Sequence, residues 1–121
     1  MASAGYTNTL READTERMFK VYAFVMKNFK QKIFLTDLAK LTNMTPTSFS
    51  RYFKQHANKP FSDFVSEIRI GHACKLLIEK KMNVSQACYQ SGYQTLSNFN
   101  KQFKHITKLT PLAYKKKYEI Y

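Results

Sequence analysis

From Asp14 to Phe29 the apolar residues Met18, Val21, Tyr22, Val25, Met26 and Phe29 recur at steps of three and four, which predicts an amphipathic helix with one buried stripe. A short second helix is predicted from Leu35 to Thr42, burying Leu35, Leu38, Ala39 and Leu41. It stops at Asn43, a residue type that tolerates the left-handed backbone of a tight turn. Thr45 then suits an N-cap and Pro46 the first helical position, where its missing N–H costs nothing. The pattern restarts there with Phe49, Tyr52 and Phe53 facing inward. Pro60 opens what reads as the longest helix, running to Lys80 with Phe61, Phe64, Val65, Ile68, Ala73, Leu76 and Leu77 at helical period.

Beyond Lys81 the pattern repeats. Val84, Ala87, Cys88 and Gly92 stand 49 positions after Leu35, Leu38, Ala39 and Asn43. From Thr95 the offset is 50, because Thr45, Phe49, Phe53 and Lys54 correspond to Thr95, Phe99, Phe103 and Lys104. The second copy therefore has one extra residue in its turn. Two copies are too few for a stacked solenoid. They fit an all-α architecture of two helix-turn-helix subdomains joined by a long linker helix. The expected boundaries are a flexible tail at 1–13, a first subdomain at 14–59, the linker at 60–80, a second subdomain at 81–118 and a tail at 119–121.

In such a unit the first helix lies across a duplex and fixes the second, whose N-terminal part enters the major groove. At about 100° per residue, Phe49 and Phe53 share the inner side while Thr47, Ser50, Arg51 and Lys54 point outward. The same construction on Phe99 and Phe103 exposes Ser97, Asn100, Lys101 and Lys104. These are base-reading and phosphate-binding chemistries: Arg and Lys donate to guanine O6 and N7, Asn brackets adenine, and Ser and Thr bond base or phosphate. The phenylalanines, at i and i+4 on the opposite side, read as core rather than as stacking platforms for single strands.

Charge sharpens the picture. The net charge is +12, and no Asp or Glu occurs between Lys80 and Tyr118, where Lys101, Lys104, Lys108, Lys115, Lys116 and Lys117 all fall. Such a surface attracts a polyanion. Cys74 and Cys88 lie in apolar helical patterns and read as reduced, packed thiols. They and the scattered His56, His72 and His105 form no metal-ligand or nucleophile–base constellation, so no metal, cofactor or catalytic residue is assigned. No apolar run approaches the ~20 residues of a membrane span, which points to the cytoplasm. The opening Met-Ala-Ser-Ala-Gly suggests a domain cut from a longer protein.

The chain resembles the DNA-binding domain of the AraC family of bacterial transcription regulators over residues 14 to 118. The likeness rests on Leu38-Ala39, Phe53-Lys54, Arg69 and Ala73, and above all on Gly92-Tyr93, Ser97-Asn98-Phe99, Phe103-Lys104, Thr110-Pro111 and Tyr114. It implies seven helices and two recognition helices in successive major-groove segments of double-stranded DNA. Carried over by position, it implies groove contacts at Thr47, Ser50 and Arg51 and at Leu96, Ser97, Asn100 and Lys101. Helix N-termini near Asn83, Val84 and Thr110 would meet phosphates, and Arg69 would brace the linker. Asn43, Asn58 and Lys108 depart from the family's turn glycines, and Phe34 from its capping hydroxyl.

The expected function is that of a sequence-specific transcription regulator, with RNA polymerase as a further partner. The isolated domain is expected to be monomeric, and the full-length protein to dimerise through a domain absent from these residues. Two other classes compete. A sequence-neutral binder would hold every duplex alike through phosphates. A DNA-repair methyltransferase module would need a reactive, metal-bound cysteine cluster, which Cys74 and Cys88 do not provide.

Overall fold

The computed structural model describes residues 2–119, with side chains from Glu12 onward. Among the described residues the regular elements are all helices: α1 Ala2–Asn28, α2 Leu35–Leu41, α3 Pro46–Ala57, α4 Phe61–Ile78, α5 Val84–Gln90, α6 Leu96–Thr107 and α7 Pro111–Tyr118. They form two compact units. One gathers α1, α2, α3 and Phe61; the other gathers the segment Phe29–Lys32, α4 from Ser62 on, and α5 to α7.

The first unit buries Met18, Val21 and Val25 of α1, Leu38 and Ala39 of α2, and Phe49, Tyr52 and Phe53 of α3. Phe61 closes this core edge-on, its ring 5.3 Å from Phe49 and 5.2 Å from Phe53. The buried stripe of α1 is narrower than its apolar pattern predicts. Val21 and Val25 are fully enclosed, whereas Met26 is 59% exposed and Tyr22 37%, each about 100° further round. Leu41, at the last position of α2, is exposed as well.

Two helix lengths differ from expectation. α1 reaches back to Ala2 and, at 27 residues, exceeds the 18 of α4, which the apolar period alone made the longest. The sequence 2–13 offers little apolar period but several good helix formers, such as Ala2, Ala4, Leu10, Glu12 and Ala13, opposed by Gly5 and by the weaker formers Thr7, Asn8 and Thr9. α4 ends at Ile78, and Lys81 beyond it takes a left-handed φ of 53°. The second unit packs Ile70, Ala73, Leu76 and Leu77 of α4 with Ala87, Cys88, Tyr93, Phe99 and Phe103.

Candidate nucleic-acid interface

Each repeat holds its second helix by the same local devices. α2 closes with Asn43 at φ 57°, its N–H donating to the Lys40 carbonyl while that of Met44 donates to Ala39. α5 closes with Gly92 at φ 97°, its N–H donating to Tyr89 and that of Tyr93 to Cys88. Both are Schellman turns, which satisfy the orphan carbonyls at a helix end through one left-handed residue. Asn performs in one copy what Gly performs in the other. The Thr42 hydroxyl adds bonds to the Leu38 and Ala39 carbonyls at 2.8 and 3.2 Å.

The recognition helices then start on threonine caps. Thr45 Oγ1 accepts from the Ser48 amide and Thr95 Oγ1 from the Asn98 amide, each at 3.2 Å. Phe34 makes no side-chain cap, and α2 begins without one. The C-terminal turns of both recognition helices also need left-handed residues, supplied by Asn58 at φ 60° and Lys108 at φ 68°. Lys108, the departure hardest to accommodate, adopts this conformation and donates from Nζ to the His105 carbonyl at 2.9 Å.

Phe49, Phe53, Phe99 and Phe103 are each 0% exposed. Burying such a ring contributes about 1.5–3 kcal/mol, so the phase of each helix is fixed strongly. Tyr22 meets Phe53 edge-on in the first unit, and Tyr93 and Tyr114 meet Phe99 and Phe103 in the second. The opposite sides carry the residues singled out in sequence, apart from Leu96, which opens α6 about 60° from Phe99 and about 20° from Phe103. Thr47, Arg51 and Lys54 are exposed and Ser50 is half-buried; Leu96, Ser97, Asn100, Lys101 and Lys104 are all exposed.

In the second unit Asn100, Lys101, Lys104 and His105 line an open cleft of about 700 Å³ whose other walls are Val84, Thr110, Pro111 and Leu112. The N-termini of α5 and α7 therefore meet the basic side of α6. Asn83 and Gln86 form a reciprocal capping box, at 2.8 and 3.2 Å, and Thr110 Oγ1 takes the Ala113 amide at 3.1 Å. Amides not used by these caps supply the partial positive charge of each helix start. His105 and Leu112 were not singled out in sequence, because one isolated histidine and one exposed leucine carry no periodic signal.

Arg69 points away from this cleft. Its Nε donates to the Phe29 carbonyl and its Nη2 to that of Gln31, both at 2.8 Å, with the guanidinium 5.8 Å from the Tyr93 ring. Burial lowers its pKa. Cys88 is buried and Cys74 half-buried, and burial pushes both thiols up, away from reactive thiolate. Among the described residues no His, Cys, Asp and Glu group of three or more is placed to hold a metal, and no helix is long and apolar enough to cross a membrane.

Two capped helices, each presented by a shorter one across a Schellman turn, with a basic polar side opposite a phenylalanine core, define a helix-turn-helix DNA-binding domain. Comparison with known proteins agrees. A family described as "Helix-turn-helix domain" matches residues 38–117. The uncharacterized HTH-type transcriptional regulator YdeC of Bacillus subtilis is 32% identical over 102 residues, covering 84% of this chain and 35% of that protein. Among structures, the C-terminal domain of AraT, a response regulator from Geobacillus stearothermophilus, is 25% identical with a TM-score of 0.75, covering 92% of this chain and 86% of that one. The DNA-binding domain of AdpA, a global transcriptional factor solved with a target DNA, shares the fold at 19% identity and TM-score 0.75, over 81% of this chain and 88% of that one. The chain belongs to the AraC-type helix-turn-helix family. It spans 35%, 24% and 50% of three of the longer curated relatives it matches.

Proposed function

We propose that this chain is the DNA-reading part of a transcription regulator and works by placing α3 and α6 in the major groove of double-stranded DNA. The observation that supports this most directly is the shared division of both helices: two phenylalanines fully enclosed on one side, and short polar and basic residues turned to solvent on the other. In this reading Thr47, Ser50 and Arg51, and Leu96, Ser97, Asn100 and Lys101, face base edges. Arg51 donates to guanine, Asn100 brackets adenine, and Leu96 covers a thymine methyl. Lys54 and Lys104, further along each helix, hold phosphates, as do the helix starts at Val84 and Thr110. The two halves of the site are centred about 10 base pairs apart.

Toward the base edges α3 offers only short side chains besides Arg51, so it reads fewer bases than α6 and relies more on DNA shape. No reaction is catalysed in this reading. The protein acts in the cytoplasm on DNA, with RNA polymerase as its protein partner.

The deciding experiment is a competition titration of a duplex selected from a random pool against unselected duplex at fixed salt. Preference for the selected duplex by about 10³-fold or more is the expected result. Equal affinity for every duplex would replace this reading with a sequence-neutral binder.

A further inference from the structure

α1 carries a surface that the first unit's core does not use. Met18, Val21 and Val25 are buried, yet Phe19 is 71% exposed and Met26 59%. At about 100° per residue, Phe19, Ala23 and Met26 fall within roughly 60° of one another and about 100° or more from Val21 and Val25. Exposed Glu16 borders this row toward the N-terminus and exposed Lys27 toward the C-terminus. A single exposed apolar residue is unremarkable. A helical row of Phe, Ala and Met bracketed by opposite charges is a docking surface.

The order of these residues selects the occupant. Read along the helix it is acid, aromatic, small residue, methionine, base, and it complements itself when reversed. In two antiparallel α1 helices crossing near residue 21, Phe19 of each copy covers Ala23 of the other and Glu16 of each meets Lys27 of the other. A parallel pairing sets Glu16 on Glu16 and Lys27 on Lys27. We propose that a second copy of this chain docks on this face, forming an antiparallel, two-fold symmetric pair through α1.

Two magnitudes bound its strength. One helix row is smaller than the roughly 800 Å² per partner of a stable complex, and the +12 net charge of each copy opposes association. The pair is therefore weak in free solution. It becomes effective when DNA neutralises the charge and holds two copies on neighbouring sites, a consequence that rests on the DNA-binding reading. The expectation of a monomer changes accordingly: this surface spans the 12 residues from Glu16 to Lys27 of one helix, with Phe19, Ala23 and Met26 at steps of four and three.

Sedimentation of the whole chain over a wide concentration range tests the proposal without DNA, with circular dichroism confirming that each variant is folded. The weight-average mass should rise toward that of a dimer. Phe19→Ser should abolish the rise, and Glu16→Lys and Lys27→Glu should each weaken association about fivefold or more, since each turns two attractions into repulsions. Mixing those two charge variants should restore association, because opposite charges then face each other again. A parent chain that stays monomeric at every concentration, variants that associate like the parent, or a mixture that fails to recover would each overturn the proposal. Binding to a single-site duplex, measured alongside, reports on the DNA reading separately. If it fails while self-association holds, only that reading falls.

Discussion

Gly92→Ala is the substitution that loads the second unit hardest. A Cβ at Gly92 would stand 2.3 Å from the Phe29 carbonyl oxygen and 3.1 Å from both Arg69 Nε and the Lys30 Cα. The first of these is backbone, so the segment Phe29–Gln31 must move, and the Arg69 bonds to the Phe29 and Gln31 carbonyls, each 2.8 Å, are strained or lost with it. A residue with a Cβ held at the left-handed φ of 97° costs about 1–2 kcal/mol. Losing one charged hydrogen bond costs about 1.5–3 kcal/mol more. The expected loss is thus roughly 3–5 kcal/mol, a large share of the 5–15 kcal/mol that holds a typical domain folded. Urea unfolding followed by circular dichroism, with hydrogen exchange in α5 and α6 locating the change, measures it. Adding Arg69→Ala should cost less on the Gly92→Ala background than on the parent, because the two share one contact. A loss below about 1 kcal/mol, the size of an ordinary substitution, would show that the contact yields and refute the argument.

Lys108→Gly should stabilise the chain by about 1 kcal/mol in thermal unfolding, since glycine takes the φ of 68° without the Cβ penalty and the Nζ bond it forfeits is exposed. Burial, helped by the neighbouring Cys74, pushes the Tyr114 phenol up to about 12, and burial raises Tyr93 and Tyr52 too. The folded state holds these protons more tightly than the unfolded chain, so the tyrosine contribution to stability is full below about pH 10 and is lost as pH rises from there toward 12, while the two raised thiols begin a decline from about pH 8.5. Tyr114→Phe should flatten the tyrosine decline in a pH series of denaturation midpoints. Arg51→Ala and Asn100→Ala should each cost about 1–3 kcal/mol on a selected duplex and far less on random DNA, whereas Lys104→Ala should weaken both alike and reduce the salt slope. Equal losses on both duplexes would make Arg51 a phosphate anchor.

What the sequence disclosed followed from signals that repeat. The inward phenylalanines, the threonine caps and the turn residues each occur twice at offsets of 49 and 50, so each copy checked the other. The features that escaped are settled by tertiary placement. Met26 satisfies a three-and-four spacing yet sits too far round α1 to be enclosed, and Tyr22 is only partly covered, because a 100° step widens an apolar stripe beyond what α2 and α3 cover. Ile70, 1% exposed, stands in period with Ala73 and Leu77 but was not among the residues expected to be buried, and Lys81 at φ 53° gave no glycine or asparagine to mark its turn. His105 and Leu112 join the cleft through tertiary placement alone. The two carbonyls that hold Arg69 are backbone groups some 40 residues away, and no side-chain pattern reports them.

The two copies also show which parts of such a unit are free to differ. Asn43 and Gly92 both complete a Schellman turn although only one lacks a Cβ, and the second turn accommodates Gln94 without losing its cap at Thr95. Tolerance has a limit at Gly92, where the Phe29 carbonyl fills the space a side chain would need; at Asn43 the conformation alone is demanding. The outward sides diverge further, Thr47, Ser50 and Arg51 against Ser97, Asn100 and Lys101, because nothing in the core constrains them. In the proposed reading, stability and readout thus occupy opposite sides of one helix. A variant library confined to Thr47, Ser50, Arg51, Ser97, Asn100 and Lys101 should therefore alter which duplex is selected from a random pool while Phe49, Phe53, Phe99 and Phe103 keep each helix in phase; a library that always selects the parent duplex would refute the assignment.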